Sequence, residues 1–303
     1  MPVYPITFSI AECKVVISIP NKIKFLSSLV PGDLSTYIYT TEEEYYKEYR
    51  DSYFATTVKK GGWDCTRHYE ILACGSIPYF PSIEKCPPRT MALLPKDMII
   101  EGNALYRRYK DLGITDEFKR LYMQLASRML KYTQENLTTK KMAQYILDTV
   151  GKPEAKRILF LSGDQGPDYL RCLTLGGFKE LLGTNCHDFP KINHIYKDAG
   201  IKYSSLYGKG FTYTNLIEQT LHNNELDSTI LIDIHEHKYD LILYGSYHRG
   251  IPYYDIIMKI YKVEEVILLC GEDLTCGGNS EHMCSNSEFI SRGHPVFIRE
   301  LQG

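Results

Sequence analysis

The densest chemistry in the chain lies in residues 59–80, KKGGWDCTRHYEILACGSIPYF. Lys59, Lys60, Gly61 and Gly62 sit just ahead of a helix start, where unpaired backbone N–H groups and the helix dipole favour an anion such as a diphosphate. Arg67 follows Trp63 by one turn and Glu70 follows Arg67 by another, so a ring, a cation and a carboxylate can face one cleft. A carboxylate placed there can accept from two neighbouring hydroxyls of a ribose. The same residues also fit a solvated helix end with an internal Arg67–Glu70 pair, because a single glycine-rich turn is weak evidence.

Open parallel sheets hold ligands at the carboxyl ends of their strands, so the second group of candidates comes from loops that follow apolar runs. Asp164 follows the run 157–162, His248 and Arg249 follow 239–245, and Glu272 and Asp273 follow 265–270. As proton acceptor Asp164 ranks first, with Asp273 and His248 next, and each residue equally fits a loop-capping role. Cys270, Cys276, His282 and Cys284 lack the paired CxxC spacing of a zinc knuckle, so no metal site is expected. The run His235-Glu236-His237 reads as a solvated turn, and Gly277-Gly278 as a mobile loop that could cover an acceptor.

The elements that must position these groups read as α/β. A strand at 157–162, a polar loop at 163–168 and a helix at Tyr169–Leu182 closed by Gly183 are followed by strands at 228–234, 239–245 and 265–270 and a helix at 253–261. Strands apolar along their whole length and separated by helices describe a parallel sheet covered on both faces. In the first half, strands are expected at 14–19, 36–39, 54–57 and 76–80. Helices are expected at 41–51, opened by Thr41 as N-cap, and at 64–73, ended by Gly75. Residues 81–95 form a proline-rich loop, and 96–150 read as helix interrupted near 112–113 and 136–139. The division expected is a unit over 1–95, a helical connection over 96–154 and a second unit over 155–303 whose C-terminal segment returns to the first.

Composition narrows the function classes. With 303 residues, 44% hydrophobic and 24% charged, the chain can bury two cores, and no apolar run approaches the roughly 20 residues of a membrane span. Lys plus Arg (35) nearly balance Asp plus Glu (37), which disfavours a nucleic-acid partner held by counterion release. Nine cysteines, an odd number, and the absence of a leader-like start point to a reducing, cytoplasmic compartment. The 25 tyrosines against one tryptophan offer ring surfaces able to stack on a sugar or base.

The segment Arg67-His68-Tyr69-Glu70, the step at Gly75 and Ile77-Pro78-Tyr79-Phe80 resemble the nucleotide-sugar-binding signature of GT-B glycosyltransferases, particularly exostosin-like and large-virus relatives. The likeness extends to Pro31-Gly32, to Tyr45-Tyr46 and, in the second half, to Gly163-Asp164, Asp188-Phe189-Pro190 and residues 244–250. It implies two Rossmann-like domains facing a cleft, with 1–95 as the donor side and 155–303 as the acceptor side. It also implies transfer of a sugar from a UDP- or GDP-type donor to a hydroxyl of a glycan or glycoconjugate, without a metal. Glu70 would hold the donor ribose, and Lys59, Lys60, Arg67 and the N–H groups near Gly62, Trp63 and Asp64 would face the diphosphate. A viral relative would act in the host cytoplasm or be packaged in the virion. Most such enzymes place the acceptor domain first, so the reversed order here implies either a circular permutation with adjacent chain ends or a truncated donor domain. The alternative is a non-catalytic protein that binds a nucleotide sugar or glycan.

Overall fold

The computed structural model describes residues 3–273 and 287–302. In chain order the elements are β1 (Val3–Pro5), β2 (Lys24–Leu26), α1 (Glu42–Arg50), β3 (Ser52–Thr56), α2 (Thr66–Ala73), β4 (Ile77–Tyr79), α3 (Lys96–Tyr109), α4 (Asp116–Asn136) and α5 (Thr139–Thr149). They continue with β5 (Ile158–Leu161), α6 (Tyr169–Leu182), β6 (Cys186–Phe189), α7 (Asn224–His235), β7 (Leu241–Tyr244), α8 (Tyr254–Ile257), β8 (Val266–Cys270), α9 (Ser287–Arg292) and β9 (Val296–Ile298).

These strands form a six-stranded sheet in the order β1-β9-β8-β7-β5-β6 and a three-stranded sheet in the order β2-β3-β4. Every pairing among the described residues is parallel. The central strands ILFL, LILY and VILLC are buried at every position, which is why their sequence shows no alternation. Helix α6 begins where Asp168 accepts from the Arg171 N–H and ends at Gly183, whose φ of 59° no other residue type adopts as readily. Helix α1 carries a full capping box, with Thr41 accepting from the Glu44 amide and Glu44 reaching back.

The helical stretch breaks where the sequence predicts, into α3, α4 and α5, but α5 belongs with the larger sheet. It packs so closely on α6 that a Cβ at Gly177 would lie 2.0 Å from the Thr139 carbonyl oxygen. The first strand also crosses the expected division. Val3, Tyr4 and Pro5 pair with Val296, Phe297 and Ile298, making residues 3–5 the edge of the six-stranded sheet. At the other end Thr90 donates to the Leu301 carbonyl and Arg89 to that of Val3, each at 2.8 Å, so both described chain ends meet one short loop. A continuous apolar core runs from Phe54 and Ile77 to Phe160 and Leu269.

Three expected strands are corrected. Residues 228–234 lie within α7, whose Asn223 cap accepts from the Glu225 amide and whose Ile230 and Ile234 are buried one turn apart while Leu231 and Ile232 face solvent. The density of apolar, partly β-branched residues imitates a strand there, and the i,i+4 burial decides otherwise. Residues 14–19 hold only the end of a 3-10 turn and irregular chain; none of them is buried and Ile17 is 95% exposed, so this apolar run has no buried face. Thr36 closes a 3-10 turn over Leu34–Thr36, and residues 37–39 join no strand but present Tyr37 and Tyr39 to a cleft. The helix expected over 253–261 shortens to a single turn, Tyr254–Ile257.

Candidate functional site

A cleft of about 740 Å³ opens between the two sheets. It is lined from the segments that leave the carboxyl ends of strands: Phe8 after β1, Lys60, Gly61 and Gly62 after β3, Asp168 after β5, Arg249 after β7, Glu272 and Asp273 after β8, and Arg299 after β9. Parallel strands all release their chains at one end, so the two sheets bring these loops face to face. Tyr37, Tyr39, Tyr45, Tyr169, Tyr207 and Phe211 add aromatic walls.

The glycine turn is at the cleft, but its expected anion site is already filled. The Glu300 carboxylate accepts from the Trp63 amide at 3.0 Å and the Asp64 amide at 2.9 Å, and Arg299 Nη1 lies 2.9 Å from the same carboxylate. A Cβ on Gly62 would lie 2.4 Å from Glu300 Oε1, so the close approach of this carboxylate is what requires glycine. The N–H groups of Trp63 and Asp64 therefore do not face an open diphosphate position, a correction to the expectation from the resemblance. Lys60 lines the cleft, whereas Lys59 lies over the Trp63 ring at 5.3 Å and Trp63 packs towards Phe80.

The next positive feature is the start of α2. Its N-cap, Cys65, offers no side-chain hydrogen bond, and Cys65, Thr66 and Arg67 all line the cleft. Arg67 is 92% buried, and its Nε and Nη1 have no hydrogen-bond partner, although its guanidinium lies 5.9 Å from the centre of the Tyr37 ring. Buried donors are nearly always satisfied in a folded protein, so two unpaired nitrogens of this guanidinium leave donor capacity open at the start of α2. Glu70 also lines the cleft, but each of its oxygens already accepts a hydroxyl, Oε2 from Tyr45 at 2.6 Å and Oε1 from Thr212 at 2.5 Å. The expected internal pairing of Glu70 with Arg67 is replaced by these two hydroxyls. His68 points the other way. It bonds Thr57 and the Trp63 carbonyl, each at 2.9 Å, and burial pushes its imidazole down to about 4, keeping it neutral.

No family model, curated protein or solved structure matches this chain. The cleft must therefore be judged on its own chemistry.

The three residues ranked as proton acceptors end in different places. Asp164 does not line the cleft. Burial would raise its carboxyl, but hydrogen bonds from Arg171 and the Gly166 amide, with Arg249 close by, hold it below the usual carboxylate range. Asp273 lines the cleft and is ion-paired to Arg299. His248 lies behind the wall, with Nε2 2.6 Å from Oε1 of Glu272, and Glu272 itself reaches the cleft with its carboxyl lowered by that histidine. Asp168 caps α6 and accepts from Ser246 at 2.6 Å and Arg249 Nε at 2.9 Å.

Asp64 was not singled out from the sequence. Its carboxylate accepts from the Phe8 amide at 2.7 Å and the Tyr69 hydroxyl at 2.8 Å, and burial pushes it up to about 6 despite the nearby Arg299. It lies at the cleft, and its protonation is moved towards neutral pH. Its local signal is only an acidic residue at the start of the helix expected over 64–73, where acidic residues are common.

Among the described residues, no group of three or more His, Cys, Asp or Glu is placed to hold a metal, and no helix is long and apolar enough to cross a membrane. Cys276, His282, Cys284 and the Gly277-Gly278 pair lie outside the described residues. The run at 235–237 ends α7 and turns through His237 at φ 51°, consistent with the solvated connection expected there.

Proposed function

We propose that the cleft binds a nucleoside-diphosphate sugar and transfers its sugar to a hydroxyl of a glycan or glycoconjugate, in a GT-B-like arrangement of two Rossmann-like units. The observation that carries this reading is Arg67, a buried guanidinium with unpaired donors at the uncapped start of α2, inside an aromatic-walled cleft. A diphosphate supplies the missing acceptors and gains from the helix dipole, while Lys60 adds charge at the same wall. Stabilising the departing diphosphate in this way is the largest contribution a protein can make to glycosyl transfer when no cation assists. Glu70 remains the ribose partner in this reading, each oxygen having a further lone pair beyond the hydroxyl it accepts. The Tyr37 ring, which lines the cleft beside Arg67, offers a stacking surface for the base.

Within the cleft, Glu272 with His248 behind it is the acid–base pair this reading assigns to the acceptor hydroxyl, in place of Asp164. Asp273 is left out of that pair because its carboxylate is already taken up by Arg299.

A second reading, a nucleotide-sugar or glycan-binding protein without turnover, is favoured by the engagement of Asp164 and Asp273 with arginines. One experiment separates them. Thermal shift with UDP-, GDP- and CMP-sugars, with and without a chelator, identifies the donor, and release of free sugar from that donor is then followed. Stabilisation with slow hydrolysis lost in Glu272→Gln supports the transferase; stabilisation without hydrolysis supports the binding protein; no stabilisation by any nucleotide sugar removes both.

A further inference from the structure

Residues 206–213 leave the larger sheet's side and cross to the smaller one without joining any strand, and Leu206, Tyr207, Gly208, Lys209, Phe211 and Tyr213 line the cleft. The crossing is made by side chains. Lys209 Nζ donates to the carbonyls of Tyr37 and Tyr39, the Thr212 amide donates to Glu42, and the Thr212 hydroxyl bonds Glu70 and meets Tyr46 at 3.1 Å. The Phe211 ring rests 5.5 Å from that of Tyr45.

The backbone of this strap is held in an unfavourable form. Lys209 has φ 57° and Thr212 has φ 77°, both left-handed, and for a β-branched residue such as threonine that conformation is a true outlier. Such strain persists only where surrounding contacts impose it, and it collects at segments that switch. Here the contacts that reach across the cleft hold Lys209 and Thr212, alongside the Phe211 amide's bond to the Gly208 carbonyl within the strap. On its own side the strap is anchored at both ends, by the Tyr203 hydroxyl on the Tyr196 carbonyl and by Tyr213, which is buried with its ring edge-on to Tyr169 at 4.6 Å and to His194 at 5.9 Å.

We propose that residues 206–213 are a latch over the cleft that opens between its Tyr203 and Tyr213 anchors to admit the ligand, the Thr212 hydroxyl standing in on Glu70 for a ligand hydroxyl while the cleft is closed. The proposal rests on the cleft being the ligand site, as read above. Release of Lys209 and Thr212 relieves two left-handed residues and frees Glu70 Oε1, so opening is favoured by strain and opposed by the hydrogen bonds across the cleft. Ligand hydroxyls that take over Glu70 remove one of those bonds, which couples occupancy to the latch.

Hydrogen–deuterium exchange on the ligand-free protein tests this. The Thr212 amide, donated to Glu42, is protected only while the latch is closed, whereas the amides of β8 report global unfolding. The expected result is that Thr212 exchanges faster than β8 in the wild type, and that Lys209→Met speeds Thr212 by about tenfold, the loss expected for charge-assisted hydrogen bonds, with β8 unchanged. Equal rates for Thr212 and β8 in the wild type, or unaltered Thr212 exchange in Lys209→Met, would overturn the latch. No nucleotide enters this measurement, so its failure is distinct from failure of the donor reading, which the nucleotide-sugar shifts decide. If Lys209→Met folds poorly, Glu42→Gln, which weakens the same amide's acceptor, must give the same selective acceleration.

Discussion

Replacing Arg67 by Met tests the anion site with effects of opposite sign in the free and bound protein. In the free protein Arg67 is 92% buried with Nε and Nη1 unpaired, and a buried donor without a partner costs about 1–3 kcal/mol. Methionine is close to the arginine stem in shape and removes that cost, while giving up the contact of the guanidinium with the Tyr37 ring at 5.9 Å, worth about 0.5–1 kcal/mol. The net expectation is a free protein that is unchanged or up to about 2 kcal/mol more stable, a rise in Tm of roughly 0–5 °C for a chain of this size. For the bound protein the expectation reverses. Charge-assisted hydrogen bonds to a diphosphate contribute about 1.5–3 kcal/mol, so affinity for UDP or GDP falls by roughly 10- to 150-fold. At a ligand concentration near 100 times the wild-type Kd, the wild type gains about 2.7 kcal/mol and the variant retains about half of it or less. The assay is a melting curve with and without nucleotide for both proteins. A variant that melts several degrees lower alone yet keeps the full nucleotide shift would show Arg67 to be a structural residue and refute the reasoning.

Other substitutions follow from the same geometry. Asp64 has its carboxyl raised from 3.8 to about 6, so the folded protein holds a proton that the unfolded chain releases between those values. Stability from this group is therefore present below about pH 4 and lost as pH rises through 6, and Asp64→Asn should flatten that fall by on the order of 2–3 kcal/mol. Urea unfolding at pH 4.5 and 7.5 measures the difference, and the opposing loss in acid from Asp188 and Glu48, both held near 2 in the fold, is common to the two proteins. Glu300→Gln keeps one acceptor oxygen for the amides of Trp63 and Asp64 but breaks the pair with Arg299, which should cost about 1–3 kcal/mol in urea unfolding. Gly177→Ala places a Cβ 2.0 Å from the Thr139 carbonyl oxygen and should lower stability by roughly 1–3 kcal/mol or more as α5 is forced from α6.

What could be read in the sequence was what is local. Tyr169–Leu182 is bounded by its own cap and terminal glycine, and the breaks at 112–113 and 136–139 carry their own turn residues, so both are found without tertiary knowledge. The fully apolar runs at β5, β7 and β8 announce a buried parallel sheet for the same reason. Residues 228–234 failed because local propensity and periodicity disagreed, and only burial of Ile230 and Ile234 settles them as helix. At the site the limit is sharper. The glycine turn and Arg67 were found, yet the carboxylate that fills the turn comes from Glu300, 237 residues after Trp63. The hydroxyl on Glu70 comes from Thr212, 142 residues away. A sequence can mark a pair of amides as ready for an anion, but it does not say whether the anion arrives as a ligand or from the chain's own far end. That ambiguity is physical. The helix start and the turn offer the same unpaired N–H groups, and the fold satisfies one set with Glu300 while leaving the buried Arg67 donors beside the other without a partner. The unpaired donors are where a ligand gains most, because a group already satisfied by its own protein only exchanges one partner for another.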